Sequence, residues 1–219
     1  LAPVLRAFPR VDFTILADLG LVELHAGARA PRLGAADALL ARVERRVAAA
    51  MGTSYFSREG ESLAAAVGLG LTRRGWRLAT AESCTAGLVA GSLTAVPGSS
   101  AWFVGGAVAY SDRLKTELLG VPETLLRGHG AVSEPAVRAM VEGAAERFGT
   151  EAALAVTGIA GPGGGTSAKP VGLVYMAALT PRRIEVARRV FPGTREQVRR
   201  RAVAHAVALL RSALSSDVV

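Results

Sequence analysis

The chain has 219 residues, of which 50% are hydrophobic and 20% are charged, so it has enough apolar material for one packed domain and a smaller second one. Its net charge of +8 comes almost entirely from arginine, because lysine occurs only at Lys115 and Lys169. The arginines are spread along predicted helices, and no basic segment carries aromatic residues for base stacking, so nucleic acid is not an expected partner. A single cysteine, Cys84, excludes an internal disulfide and a cysteine-based zinc site.

Targeting signals are not evident in this sequence. No run of about 18 apolar residues predicts a membrane span, and the first residues lack the basic and apolar pattern of a secretory signal. We therefore expect a cytoplasmic protein without a membrane partner. The first residue is Leu1 rather than Met, which suggests a piece of a longer protein. The oligomeric state does not follow from the sequence, and a homodimer is kept open.

Residues 1–58 predict a small α+β domain. Residues 9–30 alternate apolar and polar side chains in two runs, with a turn at Asp18-Leu19-Gly20 between them, and so predict two strands. Apolar residues at helical spacing then predict a helix from about Ala35 to Met51 that ends at Gly52. Tyr55 and Phe56 form a short extended piece. The polar stretch 57–60 marks the boundary of this domain.

Residues 59–219 alternate helices and strands, which predicts a layered α/β domain. The predicted strands are 77–81, 102–110, 152–156, 171–179 and 184–191, and the predicted helices are 62–74, 84–94, 111–120, 132–149 and the segment after Thr194. Within the second strand, Gly105 and Gly106 predict a close approach of backbone or ligand. Thr194 and Gln197 have the spacing of a capping box at the last helix.

Ser83 lies where the first of these strands meets the next helix, in the segment Thr80-Ala81-Glu82-Ser83-Cys84-Thr85-Ala86-Gly87. One interpretation is a helix N-cap, a common position for serine. The other is a nucleophile beside free helix N–H groups, which would stabilise an oxyanion. Cys84 is an alternative nucleophile, although a small buried hydrophobic side chain is the commoner role of such a cysteine.

Tyr110 and Lys115 leave a predicted strand and enter the next helix at the same sheet edge. A lysine can serve as general base for a serine when burial and neighbouring groups lower its pKa, but most lysines are solvated surface groups. The chain has three histidines, and their scattered positions predict neither a metal cluster nor a Ser-His pair. A lysine-based serine mechanism therefore fits better than the usual triad.

A glycine-rich loop, residues 157–165, follows the third predicted strand. Loops of this kind expose backbone N–H groups and commonly hold phosphate. The Walker pattern and the dinucleotide fingerprint are both incomplete here. By motif alone, the loop is a weak indication of an anion site.

Taken together, these segments resemble the C-terminal domain of CinA proteins and its stand-alone bacterial relatives of the PncC type. The resemblance is carried, in the right order, by residues 80–87, 97–103, 109–111, 129–135, 157–162 and 169–172. It covers about residues 60–213 and implies a three-layer α/β/α fold with a mixed sheet. Residues 1–56 resemble the small KH-type middle domain of full-length CinA proteins, but they lack the Gly-x-x-Gly loop through which KH domains clamp nucleic acid.

The resemblance implies that nicotinamide mononucleotide is hydrolysed to nicotinate mononucleotide and ammonia, in pyridine nucleotide recycling, without a metal or another cofactor. Ser83 matches the family's nucleophile, and Tyr110 and Lys115 match the residues that activate it. The expected substrate contacts are Ser100, Thr157, Gly158, Ala160, Gly161 and Arg195, with Arg199 as the alternative arginine for the phosphate. The other function kept open is a non-catalytic nucleotide-binding or regulatory protein.

Overall fold

The computed structural model describes residues 1–18 and 21–216. It divides into two units, residues 1–62 and residues 63 onward. The predicted turn residues Leu19 and Gly20 lie outside the described residues. Within the described ranges, no helix has the length and the apolar run needed to cross a membrane.

The first unit is built on an antiparallel hairpin. Its elements are α1 (Ala2–Arg6), β1 (Val11–Asp18), β2 (Leu21–Ala28), α2 (Leu33–Met51) and a 3₁₀ turn (Gly52–Ser54). The side chains of Val43 and Val47 are one helical turn apart on α2, and they pack with Phe8 and Val11 into a small core. The unit is therefore α+β, as the sequence predicts, and the short helix α1 is an element that the sequence did not predict.

The second unit contains a five-stranded mixed sheet. Its strands are β3 (Leu78–Glu82), β4 (Phe103–Val108), β5 (Ala152–Gly158), β6 (Leu173–Thr180) and β7 (Arg183–Val190). Their order across the sheet is β4-β3-β5-β6-β7. Strand β3 runs parallel to both β4 and β5, whereas β6 and β7 pair antiparallel.

Helices cover both faces of this sheet. They are α3 (Leu63–Thr72), α4 (Leu88–Thr94), α5 (Asp112–Leu119), α6 (Glu123–His129), α7 (Glu134–Phe148) and α8 (Arg195–Ser216). Helices α5 and α6 pack with α7 on one side, and α3 and α4 pack with α8 on the other. Because successive residues of a strand face opposite sides, Ala153 and Ala155 join the core beneath α7, while Leu154 and Val156 are fully buried on the α8 side. The predicted three-layer arrangement is confirmed.

Three helices begin directly after a residue whose side chain caps them. Ser111 and Ser133 begin α5 and α7, and each hydroxyl accepts a backbone amide of its own helix. At α8, the Gln197 amide donates to Thr194 Oγ1 at 3.3 Å and the Thr194 amide donates to Gln197 Oε1 at 2.9 Å, which confirms the capping box.

Two sequence predictions for this unit were incomplete. Helix α4 begins at Leu88, because residues 84–87 form a turn rather than the first helical residues. Helix α6 was not predicted. By contrast, a Cβ at Gly106 would lie 2.8 Å from the backbone carbonyl oxygen of Thr80 and would also collide with the Thr80 side chain, which confirms the predicted close approach of backbone at this glycine.

Candidate active site

The carboxyl ends of three parallel strands meet at one edge of the sheet. Ser83 follows β3, Tyr110 follows β4 by two residues, and Gly158 ends β5. Ligands of open α/β sheets bind at this edge, and a cavity of about 220 Å³ lies there. Its lining consists of Ser83, Cys84, Tyr110, Asp112, Lys115, Ala131, Val132, Thr157, Gly158, Ala160 and Arg195.

Most of the predicted site residues share this cavity, and two do not line it. Gly161 lies beside it, since its carbonyl accepts a hydrogen bond from Arg195 Nη1 at 2.9 Å. Ser100 is exposed, in a 3₁₀ turn (Ser99–Ala101) before the first residue of β4. It therefore lies at the opposite end of the sheet, on the order of 13 Å from Ser83 by the length of a five-residue strand. Within a single chain, Ser100 therefore does not line the cavity.

Ser83 does not cap helix α4. The helix N-cap is Gly87, and the carboxylate of Glu82 accepts the amides of Gly87 at 2.9 Å, Val89 at 3.0 Å and Ala90 at 2.8 Å. Within the described part of the chain, the Ser83 hydroxyl has no hydrogen-bond partner. The N-cap interpretation of Ser83 is therefore wrong. The expectation of free helix-start amides for an oxyanion is also wrong, because Glu82 occupies them.

Lys115 is buried at the inner side of the cavity, with 1% of its surface exposed. Its Nζ donates to the carbonyl of Tyr110 at 3.3 Å and to Asp112 Oδ1 at 3.4 Å, both at the long end for hydrogen bonds. The alternative of a solvated surface lysine is therefore wrong. Tyr110 is exposed, and its hydroxyl accepts a hydrogen bond from Arg195 Nη2 at 2.9 Å.

Cys84 lines the cavity but is poorly suited to nucleophilic attack. Burial raises the pKa of its thiol to about 12, because a low-dielectric environment disfavours the thiolate. The thiolate is the reactive form of cysteine. Cys84 therefore fits the commoner role of a small buried side chain, and Ser83 is the better candidate nucleophile.

The two candidate arginines of α8 have different surroundings. Arg195 lies at the cavity and bridges the Tyr110 hydroxyl and the Gly161 carbonyl. Arg199 points to the backbone instead: its Nε donates to the Cys84 carbonyl at 3.1 Å and its Nη2 to the Thr85 carbonyl at 2.8 Å. Arg195 is therefore the better placed of the two to meet a ligand.

The fold agrees with the comparisons to known proteins. The family model described as the CinA C-terminal domain matches residues 60–214. The chain belongs to the CinA family. A CinA-like protein of Acidobacterium capsulatum is 42% identical over 98% of this chain and 52% of its own length, and one of Myxococcus xanthus is 44% identical over 97% and 51%. The chain thus spans about half the length of the curated CinA relatives it matches.

Solved structures of the CinA superfamily match the second unit's fold. A CinA superfamily protein from Klebsiella pneumoniae has a TM-score of 0.68 and 40% identity, and the match covers 70% of this chain and 96% of that one. A competence/damage-inducible protein from Agrobacterium tumefaciens has the same TM-score and identity, with coverage of 74% and 99%.

Several residues of this candidate site were missed by sequence reasoning. Glu82 is the clearest, and its signal was a carboxylate at the end of an otherwise uncharged buried strand. Asp112 lies three residues before Lys115, a spacing that brings two helical side chains together. Ala131 and Val132 carry no comparable chemical signal. Among the described residues, no group of three or more histidine, cysteine, aspartate or glutamate side chains could hold a metal ion.

Proposed function

We propose that this CinA-family chain hydrolyses the carboxamide of nicotinamide mononucleotide, with Ser83 as the nucleophile. The observation that carries the proposal is the state of the Ser83 hydroxyl. It lines a cavity together with a buried lysine, and a neighbouring carboxylate has taken over the capping role that a serine at this position would usually have. A serine beside a lysine is an established arrangement for an activated nucleophile.

In the first half of the reaction, one proton moves twice. Ser83 Oγ attacks the carboxamide carbon while the Lys115 amine accepts the hydroxyl proton. Lys115 then passes this proton to the leaving nitrogen, and ammonia departs from the acyl-enzyme. In the second half of the reaction, water attacks the ester carbonyl while Lys115 accepts one of its protons. Lys115 then returns this proton to Ser83 Oγ as the ester bond breaks, which frees Ser83 and gives the acid product, which ionises to the carboxylate. Tyr110, whose carbonyl accepts from Lys115, orients the lysine toward the serine.

The oxyanion requires a donor other than the start of α4. The three amides at that helix start already donate to Glu82. The amide of Cys84 is the best remaining candidate, since Cys84 lines the cavity and its N–H donates to no oxygen atom in the described ranges. A single well-placed donor of this kind typically contributes about 10²–10³ in turnover.

The substrate's phosphate would lie outside the narrow part of the site. A cavity of about 220 Å³ is smaller than the roughly 300–1,000 Å³ of pockets that enclose a whole drug-sized ligand. The carboxamide end would therefore enter it, and the phosphate would meet Arg195 and the loop Gly158–Gly161. The net charge of +8 also favours an anionic substrate.

Release of ammonia from nicotinamide mononucleotide by the purified chain tests this proposal, with nicotinate mononucleotide followed by mass spectrometry. The Ser83→Ala variant is the control for contaminating amidases. If the chain binds the mononucleotide but releases no ammonia above that control, the nucleotide-binding or regulatory alternative replaces the amidase.

A further inference from the structure

The turn that carries the candidate nucleophile is held from two sides by charged side chains. We call residues 83–87 the nucleophile turn. On one side, the Glu82 carboxylate accepts the amide of Gly87, the last residue of the turn, and those of Val89 and Ala90 beyond it. On the other side, Arg199 donates to the carbonyls of Cys84 and Thr85. Hydrogen bonds with one charged partner are the stronger kind.

The backbone of this turn needs such support. Ala86 has a φ of +50° and Gly87 a φ of +91°, so two consecutive residues are in the left-handed region. A non-glycine residue rarely adopts this conformation, and it persists only where the surroundings impose it. Ala86 is the one non-glycine residue with positive φ within the described part of the chain.

We propose that Glu82 and Arg199 are positioning residues, which hold the nucleophile turn and thereby fix Ser83 relative to Lys115. This inference rests on the proposed amidase function. Glu82 is 1% exposed and directly precedes Ser83, so its carboxylate and the serine are joined by one peptide unit. Arg199 holds the peptide unit between Cys84 and Thr85 and the one between Thr85 and Ala86, because a carbonyl that is held in place also fixes the orientation of the amide across the same planar bond.

This assignment gives Arg199 a role other than phosphate binding. Its Nε and Nη2 are both engaged by the nucleophile turn, and it does not line the cavity, whereas Arg195 does. A phosphate ligand would affect only phosphorylated substrates. A positioning residue affects turnover of any carboxamide that reaches Ser83.

The experiment compares Arg199→Met and Arg199→Lys with Arg200→Met, an exposed neighbour on the same helix. Each variant is assayed with nicotinamide mononucleotide and with nicotinamide riboside, which lacks the phosphate. We expect Arg199→Met to lower kcat by about tenfold to hundredfold on both substrates with KM within about threefold, since small misplacements of reacting groups have effects of this size. Arg199→Lys should recover part of kcat, and Arg200→Met should match the parent chain.

Two kinetic outcomes would overturn the assignment. A defect confined to the phosphorylated substrate would make Arg199 a phosphate ligand. An unchanged kcat in Arg199→Met would show that the nucleophile turn keeps its conformation without the hydrogen bonds from Arg199. If Arg199→Met does not fold, Arg199→Lys alone decides the test through the same comparison of kcat on the two substrates.

A second measurement separates this proposal from the amidase proposal. Amide hydrogen exchange of Gly87, Val89 and Ala90 is compared between the parent chain and Glu82→Gln, which keeps the side-chain shape but removes the charge. Faster exchange at these amides is expected. Unchanged exchange would overturn the role of Glu82. If the parent chain releases no ammonia, the amidase proposal fails on that observation, while the exchange data still decide whether Glu82 holds the turn.

Discussion

Ser111, Ser133 and Thr194 directly precede helices of the second unit, and Ser83, which lies before α4, is used differently. Ser111, Ser133 and Thr194 each accept a backbone amide of the helix that they precede, at 3.2, 3.3 and 3.3 Å. Before α4, the Glu82 carboxylate accepts the helix amides instead, and the Ser83 hydroxyl is without a partner among the described residues. A hydroxyl side chain thus stabilises the helix at three of these positions and has no partner at the fourth.

The difference comes from the length of the connection and from one longer side chain. Ser111, Ser133 and Thr194 are directly followed by their helices, whereas four residues separate Ser83 from Leu88. A serine side chain reaches amides two or three residues ahead. The carboxylate of Glu82 reaches the amides of residues five, seven and eight positions ahead, because the turn folds back over it.

Replacement of Ser83 by alanine should have the largest effect on activity. We expect Ser83→Ala to reduce ammonia release to the background level, because the nucleophile is lost. Since Ser83 does not cap α4, the free energy of unfolding should change by less than about 0.5 kcal/mol. Activity assays and urea denaturation measure the two quantities. Retention of turnover in this variant would refute Ser83 as the nucleophile.

Replacement of the buried lysine should have the next largest effect. We expect Lys115→Met to lower kcat by about 10²–10⁴, the usual contribution of a positioned acid or base, with KM changed only a few-fold. Lys169→Met is the matched control, because Lys169 is the other lysine and its ammonium donates to the His129 carbonyl outside the cavity lining. A raised KM with unchanged kcat would instead make Lys115 a binding residue.

Loss of phosphate recognition should lower kcat/KM by a smaller factor. Nicotinamide riboside should have a kcat/KM about tenfold to hundredfold below that of the mononucleotide, the range for losing one charge-assisted hydrogen bond. Arg195→Ala should reproduce much of this loss with the mononucleotide and add little with the riboside, as coupled partners do. Because Arg195 also donates to the Tyr110 hydroxyl, an equal loss on both substrates would show that it orients Tyr110 rather than binding phosphate.

Replacement of Ser133 by alanine should have the opposite result to Ser83→Ala, with a loss of stability and little change in activity. Its hydroxyl caps α7 and also donates to the Gly130 carbonyl at 2.8 Å. We expect Ser133→Ala to destabilise the second unit by about 1 kcal/mol, the usual cost of a lost cap, while kcat stays near the parent value. Thermal and urea denaturation measure the stability. A fall in kcat without loss of stability would show that the contrast between the two serines does not hold.

The sequence predicted the elements whose ends carry local signals. Helix α7 is capped by Ser133 and followed by Gly149 in the left-handed conformation, and both signals are visible in the sequence. Helix α6 has seven residues and Pro122 at its N-cap, without a side-chain cap, so its start had no comparable signal. The turn before α4 is hydrogen-bonded by Glu82 and by Arg199, which lie near opposite ends of the unit's sequence and reach the same turn only in the fold.

The candidate site was predictable as a set of residues but not as an arrangement. The motifs indicated that Ser83, Tyr110 and Lys115 belong to one site, and all three line the cavity at the sheet edge. The burial of Lys115 is set by packing between α5 and its neighbours, and no local pattern reports it. The position of Ser100 likewise depends on the direction of β4, which places the start of that strand far from the end of β3.

The smallest expected effect concerns Cys84, the residue next to the nucleophile. Because burial raises the pKa of its thiol to about 12, only about 10⁻⁵ of the protein carries a thiolate at pH 7, and the thiolate is the reactive form. We expect Cys84→Ala to keep kcat within about twofold, and iodoacetamide at neutral pH to leave the activity of the parent chain unchanged. Rapid inactivation by one molar equivalent of iodoacetamide would show an accessible thiolate and would make Cys84 a candidate nucleophile again.

The same pKa also predicts a difference in stability at high pH. The thiol of an unfolded chain ionises near pH 8.5, below the native value of about 12. As the pH rises through this interval, the unfolded state loses its proton first, so the free energy of unfolding of the parent chain should fall. Cys84→Ala lacks this group and should lose less stability over the same interval. Urea denaturation at pH 8 and pH 10 measures the difference, and parallel losses in the two proteins would show that the thiol is not shielded from water.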